Sequence, residues 1–118
     1  LEDTRLDDVV LDGARLTRCD LSEASAPRLS LRDAVVTGGE WLGVDAPSAV
    51  LDRARMERVL LHGATLAGAS FRDAVLKGCK FNDADLDGAD FTGATIEGCD
   101  FTGATSSTPQ PWQPGPDG

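Results

Sequence analysis

Every fifth residue of this chain, from Leu1 to Phe101, is apolar, without one insertion or slip. The second half of that series runs Leu61, Leu66, Phe71, Leu76, Phe81, Leu86, Phe91, Ile96 and Phe101. A second series of 21 positions, from Thr4 to Ala104 and two residues ahead of each large residue from Leu6 on, is mostly compact: twelve are Ala, and all three Cys fall among them. The remaining three positions are mostly Asp, Glu, Arg, Thr, Ser and Gly. Neither regular element buries such a stripe. In an α-helix five residues advance ~500°, which carries the apolar set around the whole cylinder. In a flat strand an odd step turns the large residue to the opposite face at each repeat. The spacing works when each repeat is a short extended segment followed by a corner. The small and large residues then point inward and the residue between them points outward. Gly recurs at the second corner position, where a positive φ costs it nothing.

A chain of this kind winds as a solenoid whose coils stack as parallel strands ~4.8 Å apart. Aligning the sequence at a period of 20 makes its columns coherent. Asp12, Arg32, Asp52 and Arg72 alternate in charge, as do Asp33, Arg53 and Asp73, and Glu57, Lys77 and Glu97. Pro27 stands below Pro47, Ala26 below Ala46, and Cys19, Cys79 and Cys99 share one column. At a period of 15 these matches vanish. Four repeats therefore close a coil, and residues 1–105 make about five coils, a rod roughly 25 Å tall.

The triplets Ala84-Asp85-Leu86, Ala89-Asp90-Phe91, Cys19-Asp20-Leu21 and Cys99-Asp100-Phe101 resemble the repeat of the pentapeptide-repeat family over residues 1–105. That resemblance implies an all-β fold, a right-handed quadrilateral parallel β-helix. It brings no catalytic residues, because the motif is a folding code.

Departures from the repeat locate irregularities. Gly39 replaces a small side chain, Trp41 is oversized for an inner position, Ala46 is undersized, and Leu42 follows Trp41 at a corner. These predict a distorted coil between Val36 and Val50, or a bulge that lets Trp41 tilt. The outward aliphatics Val10, Val35, Val50, Leu60 and Val75 divide among several columns, which favours scattered exposure over one adhesive face. Register stops after Thr105, so residues 106–118, with four Pro, read as a flexible tail or an end cap. Trp112 is the residue in that tail suited to cover the last coil near Phe101. The opening Leu-Glu-Asp-Thr-Arg is neither a secretion signal nor a start of translation, and predicts residues upstream of Leu1. No run of 18 apolar residues is present to span a membrane.

Chemistry is sparse. The one histidine, His62, sits at an outward corner without a nucleophile beside it, so no catalytic residue is expected. The inward cysteines act as small apolar fillers. Cys79 and Cys99, one coil apart with parallel Cβ vectors, suit reduced thiols and hence a cytoplasmic setting. Two thiols without a nearby His fall short of a zinc site. Asp83, Asp85, Asp87 and Gly88 mimic the start of a calcium loop, but Ala94 stands where the bidentate Glu belongs. No cofactor and no metal are expected.

Charge is the remaining signal. The net charge is −9, which argues against direct binding to nucleic acid. Residues 24–80 carry eight bases against six acids, whereas residues 81–105 carry six acids and no base. These six, Asp83, Asp85, Asp87, Asp90, Glu97 and Asp100, are the candidate partner contacts. The expected function is a non-enzymatic, rigid protein–protein interaction module with an unknown protein partner. The family resemblance adds an alternative: some members imitate DNA, bind DNA gyrase or topoisomerase IV, and protect these type II topoisomerases from quinolones or natural toxins. An end-to-end homodimer through Phe91 and Phe101 would lengthen such a rod.

Overall fold

The computed structural model describes residues 5–107 and 110–112. Five three-residue strands lie at intervals of 20: β1 (Arg15–Thr17), β2 (Val35–Thr37), β3 (Arg55–Glu57), β4 (Val75–Lys77) and β5 (Thr95–Glu97). They form one parallel sheet in the order β1-β2-β3-β4-β5, with Leu16 opposite Val36, Met56, Leu76 and Ile96 in turn. From β1 to β5 the chain makes four full turns. The other three sides of each coil pair through single residues with the same interval, as in Thr65 with Asp85 and Ser70 with Asp90. The predicted four-sided β-solenoid is therefore the observed fold, and the period of 20 is its coil length.

Hydrogen bonds run up and down the stack. Leu66 N donates to Asp85 O at 2.8 Å and Gly68 N to Asp87 O at 2.8 Å, while Ser70 N reaches down to Ala49 O at 2.8 Å. Each corner passes through the left-handed region at its second residue. From Asp8 to Gly103 that residue has positive φ in every repeat, and it is Gly in half of them and Asp, Glu, Arg or Ser in the rest. A positive φ at the third of four residues defines a type II turn, which also accepts Pro at the second. Pro27 and Pro47 occupy that second position, and Ala49 N closes the turn onto Ala46 O at 3.3 Å. Three corners of each coil close in this way. At the fourth the strand runs one residue further, and no such bond joins Cys79 to Leu76 or Cys99 to Ile96. The small inward residue at this open corner is Cys19, Gly39, Val59, Cys79 or Cys99, never Ala. The two upper thiols there donate to the coil below, Cys79 Sγ to Met56 O and Cys99 Sγ to Leu76 O, each at 3.4 Å.

The interior is apolar. Leu61, Leu66, Phe71, Leu76, Phe81, Leu86 and Phe91 are buried, and Ile96 and Phe101 are partly buried in the last coil. Phe71 stacks on Phe91 and Phe81 on Phe101, each with ring centroids 4.8 Å apart, the coil spacing itself. Above Phe101 lies the indole of Trp112, 4.9 Å away and 8° from parallel. Gln110 Nε2 donates to Ala89 O at 3.0 Å, and Ser107 N to Asp87 Oδ1 at 2.8 Å. The outer face of the Phe101 ring is thus occupied, and an end-to-end homodimer through it must displace Trp112. Residues 108–109 and 113–118 of the tail lie outside the described residues.

The expected bulge between Val36 and Val50 is absent. Pairing continues through Glu40 with Leu60, Asp45 with Thr65, and Val50 with Ser70, in unbroken register. Volume is exchanged between neighbours instead. Trp41, 3% exposed, has its indole nitrogen 3.5 Å from where a Cβ on Gly39 would stand. In the preceding coil Ala26 takes the large position and Leu29 the small one, both buried. The departure is confined to the Gly39 backbone, with φ +113°, where a Cβ would come 2.6 Å from the Cys19 carbonyl oxygen.

That contact predicts two different glycine costs. Gly63 also has positive φ (+68°) but faces open space, so Gly63→Ala should lower stability by about 1 kcal/mol through backbone conformation alone. Gly39→Ala adds a clash with main chain and should lower it by about 3 kcal/mol or prevent folding. Denaturant midpoints of the two variants test the difference, and equal losses would contradict it.

Candidate functional site

The six acids singled out by sequence come from every side of the last coil rather than from one face. Asp85, Asp90 and Asp100 lie on three different sides, Asp83 and Asp87 at corners, and Glu97 on β5. They form a belt. Three of them also have a folding task. Each of Asp85, Asp90 and Asp100 precedes an inward large residue, and its Oδ1 accepts the backbone N–H two residues on: Asp87 N at 3.0 Å, Thr92 N at 2.9 Å and Thr102 N at 2.9 Å. That amide is the first corner residue, which the coil-to-coil ladder leaves without a carbonyl partner in these repeats. An Asp side chain closing onto the second following amide is a favourable local turn, and it explains why the repeat uses Asp at an exposed site. Thr92 and Thr102 add hydroxyl donors to the same oxygens at 2.6 Å.

The charge columns read from the sequence are realised in part. Arg53 pairs with Asp33 at 2.9 Å, Arg32 with Asp12 at 3.9 Å, and Lys77 with Glu97 at 3.9 Å. Arg72, however, pairs with Asp90 at 3.6 Å, while Asp52 accepts the Ser70 hydroxyl and Arg72 N. Two acids of the belt, Asp90 and Glu97, are thus engaged with bases of the coil below, and Asp87 accepts Ser107 N and its hydroxyl. Hydrogen bonds to the ionised form hold these carboxyls low. The side chains and amides of Ser107 and Thr92 lower Asp87 and Asp90 respectively. The Thr102 hydroxyl, then its amide, the Asn82 side chain and the Lys80 charge lower Asp100 to about 2.

The other titratable groups assemble no reactive site. His62 is exposed at its corner. Among the described residues no group of three or more His, Cys, Asp or Glu is placed to hold a metal ion. Leu86, inside the calcium-like segment, is fully buried, as the repeat register requires. All three cysteines are free thiols. The neighbouring Cys99 thiol and burial raise the pKa of Cys79, and the neighbouring Cys79 thiol lowers that of half-buried Cys99. No helix among the described residues is long and apolar enough to cross a membrane.

Comparison with known proteins agrees with this geometry. A family model described as pentapeptide repeats matches in eight copies over residues 1–38, 43–78 and 69–105. No curated protein matches the sequence. Among solved structures, the pentapeptide repeat protein Rfr23 from the cyanobacterium Cyanothece 51142 superposes with a TM-score of 0.59 at 20% identity, over 88% of each chain. Full-length QnrB1, a plasmid-mediated fluoroquinolone resistance protein, gives a TM-score of 0.46 at 19% identity, over 88% of this chain and 59% of its own.

The threonine contacts carry a pH dependence. A carboxyl with a depressed folded pKa contributes stability above its unfolded pKa of about 3.9, and loses that contribution as pH falls through the folded value. Asp100 should titrate near 2 in the native protein. Thr102→Val removes the hydroxyl, so the Asp100 pKa should rise toward the ordinary range and acid unfolding should begin at higher pH. Carbon-detected NMR titration measures the first effect and circular dichroism against pH the second. An unchanged Asp100 pKa in the variant would contradict the assignment.

Proposed function

The chain belongs to the pentapeptide-repeat family, and on that footing we propose that it acts as a rigid, non-enzymatic protein–protein interaction module. The supporting observation is that the ladder leaves three side chains of each repeat outside, at positions fixed by the coil spacing. A surface so constrained meets a partner with little loss of conformational freedom. The chemistry supports the same reading. The exposed groups include ion pairs and turn-closing aspartates, and among the described residues no acid, base and nucleophile stand in contact. The partner is a protein, and the free thiols suit the cytoplasm. Photo-crosslinking residues placed in turn on each outward column test this: crosslinks in cells should gather on one side of the rod, and a lack of crosslinks at every column would refute it.

The acidic belt favours a second reading, in which the rod imitates DNA and binds a type II topoisomerase such as gyrase, conferring resistance to quinolones or gyrase toxins. Residues 81–105 hold six acids and no base, a dense anionic collar of the kind a DNA-binding groove attracts. Among the described residues Asp83, Asp85 and Asp87 have no ion-pair partner, whereas Arg72 pairs with Asp90, Lys77 with Glu97, and the Lys80 charge acts on Asp100. A supercoiling assay with gyrase, with and without a quinolone, decides between the readings. Inhibition or protection that is lost in Asp83→Asn/Asp87→Asn supports the second, and no effect at micromolar protein removes it.

A further inference from the structure

The arginines divide into two sets by what stands one coil above or below them. Arg28, Arg32 and Arg53 each have an Asp as axial neighbour and pair with it: Asp8, Asp12 and Asp33. Arg5 pairs with Asp7 and Arg72 with Asp90. Arg15, Arg18, Arg55 and Arg58 pair with nothing among the described residues. Their neighbours one coil on are Val35, Gly38, Val75 and Gly78. All four lie on one side of the solenoid: Arg15 and Arg55 open β1 and β3, and Arg18 and Arg58 follow those strands on the edge made by the open corner.

The glycines give two of these arginines a set direction. Arg18 Cγ lies 3.3 Å from where a Cβ on Gly38 would stand, and Arg58 Cγ 3.5 Å from the same point on Gly78. Each stem therefore lies along the axis over the next coil, and any larger residue there would lift it off. Beside them runs a groove of about 500 Å³, with Arg18 and Arg58 on one wall, Asp20, Glu40 and Leu60 on the other, and Gly39 between. Beneath Gly39 the Trp41 indole N–H is buried without a hydrogen-bond partner.

We propose that this edge is the docking surface of the module, and that its occupant is an extended acidic segment of a partner protein with carboxylates three residues apart. The proposal deepens the interaction-module reading and rests on it. Arg18 and Arg58 are two coils apart, about 10 Å, and so are Arg15 and Arg55; three residues of a segment in the extended polyproline II conformation make one turn and rise about 9 Å, which puts side chains i and i+3 on the same side. A segment running along the axis thus sets side chains i and i+3 against successive guanidinium groups, which bind carboxylates bidentately. The opposite wall selects against denser anions. Asp20 and Glu40 in the groove, with Glu57 next to Arg55 and Arg58, repel a ligand charged at every residue. Nucleic acid, with a charge each ~1.7 Å of duplex, fits worse than a spaced acidic peptide.

NMR titration of the full chain with Ac-Glu-Ser-Ser-Glu-Ser-Ser-Glu-NH2 tests the site. The Nε–H signals of Arg18 and Arg58 should move, and those of Arg28 and Arg53 should not. An isomer with its three Glu adjacent should bind about fivefold more weakly, as should the spaced peptide on Arg18→Gln/Arg58→Gln, while Arg28→Gln/Arg53→Gln, with the same change in charge, should bind normally. Shifts spread over all arginines, equal binding of the two isomers, or tighter binding of a duplex oligonucleotide would overturn the proposal. So would self-association in light scattering that the Arg18/Arg58 variant abolishes, since a second copy would then be the occupant. If crosslinks to a cellular partner survive in that variant, this edge is not the docking surface and the module reading stands without it.

Discussion

A backbone that enters the left-handed region once in every five residues must turn at the same interval, and nearly everything else in this protein follows from that turn. It sends the chain through four corners per coil, brings residue i beside residue i+20, and so allows the ladder that binds coil to coil. Ten of these corner residues are not glycine, each at a cost of about 1–2 kcal/mol. What offsets that strain is cooperative: each fully buried Leu or Phe contributes about 1.5–3 kcal/mol, and the corners are what place those side chains inside. Neither the core nor the corners is stable without the other, which is the general condition of a repeat solenoid.

The same lattice shapes the surface. In a globular domain an exposed Asp has freedom to serve a partner alone. Here Asp85, Asp90 and Asp100 first complete a corner by accepting an amide that the ladder leaves over. Five basic residues, Arg28, Arg32, Arg53, Arg72 and Lys77, first neutralise an acid one coil away. Residues exempt from both duties are therefore the informative ones, and the arginines at the open corner are exempt by construction, because their axial neighbours are Gly and Val. The acidic belt stands out in the sequence through simple counting. The arginine edge does not, since the count mixes it with paired bases from the other sides.

The period of five and its four-fold stacking specify the fold through particular residues: the unbroken series through Leu66, Phe71 and Leu76, and the shared column of Cys19, Cys79 and Cys99. What escapes a reading by columns is the geometry of single corners. The cysteines share the one corner in four that lacks its closing hydrogen bond, and no residue pattern announces the loss of that bond. The region around Trp41 reads as a defect when each position is judged against the repeat. In three dimensions Gly39 yields space to the indole, and Ala26 and Leu29 exchange sizes, so the register holds. Compensation between neighbours is invisible to a position-by-position comparison.

Backbone amide exchange measures the lattice most directly. In the repeat from Leu66 to Ser70, the amides of Leu66, Gly68, Ala69 and Ser70 are hydrogen-bonded to main chain, and that of Ala67 is not. Exchange followed by NMR should show four slow amides and one fast one, at the first corner residue, recurring every five residues through the central coils wherever neither a strand nor an acceptor side chain takes that amide. Protection without a five-residue period, or with the i to i+4 continuity of a helix, would contradict the solenoid and everything argued from it.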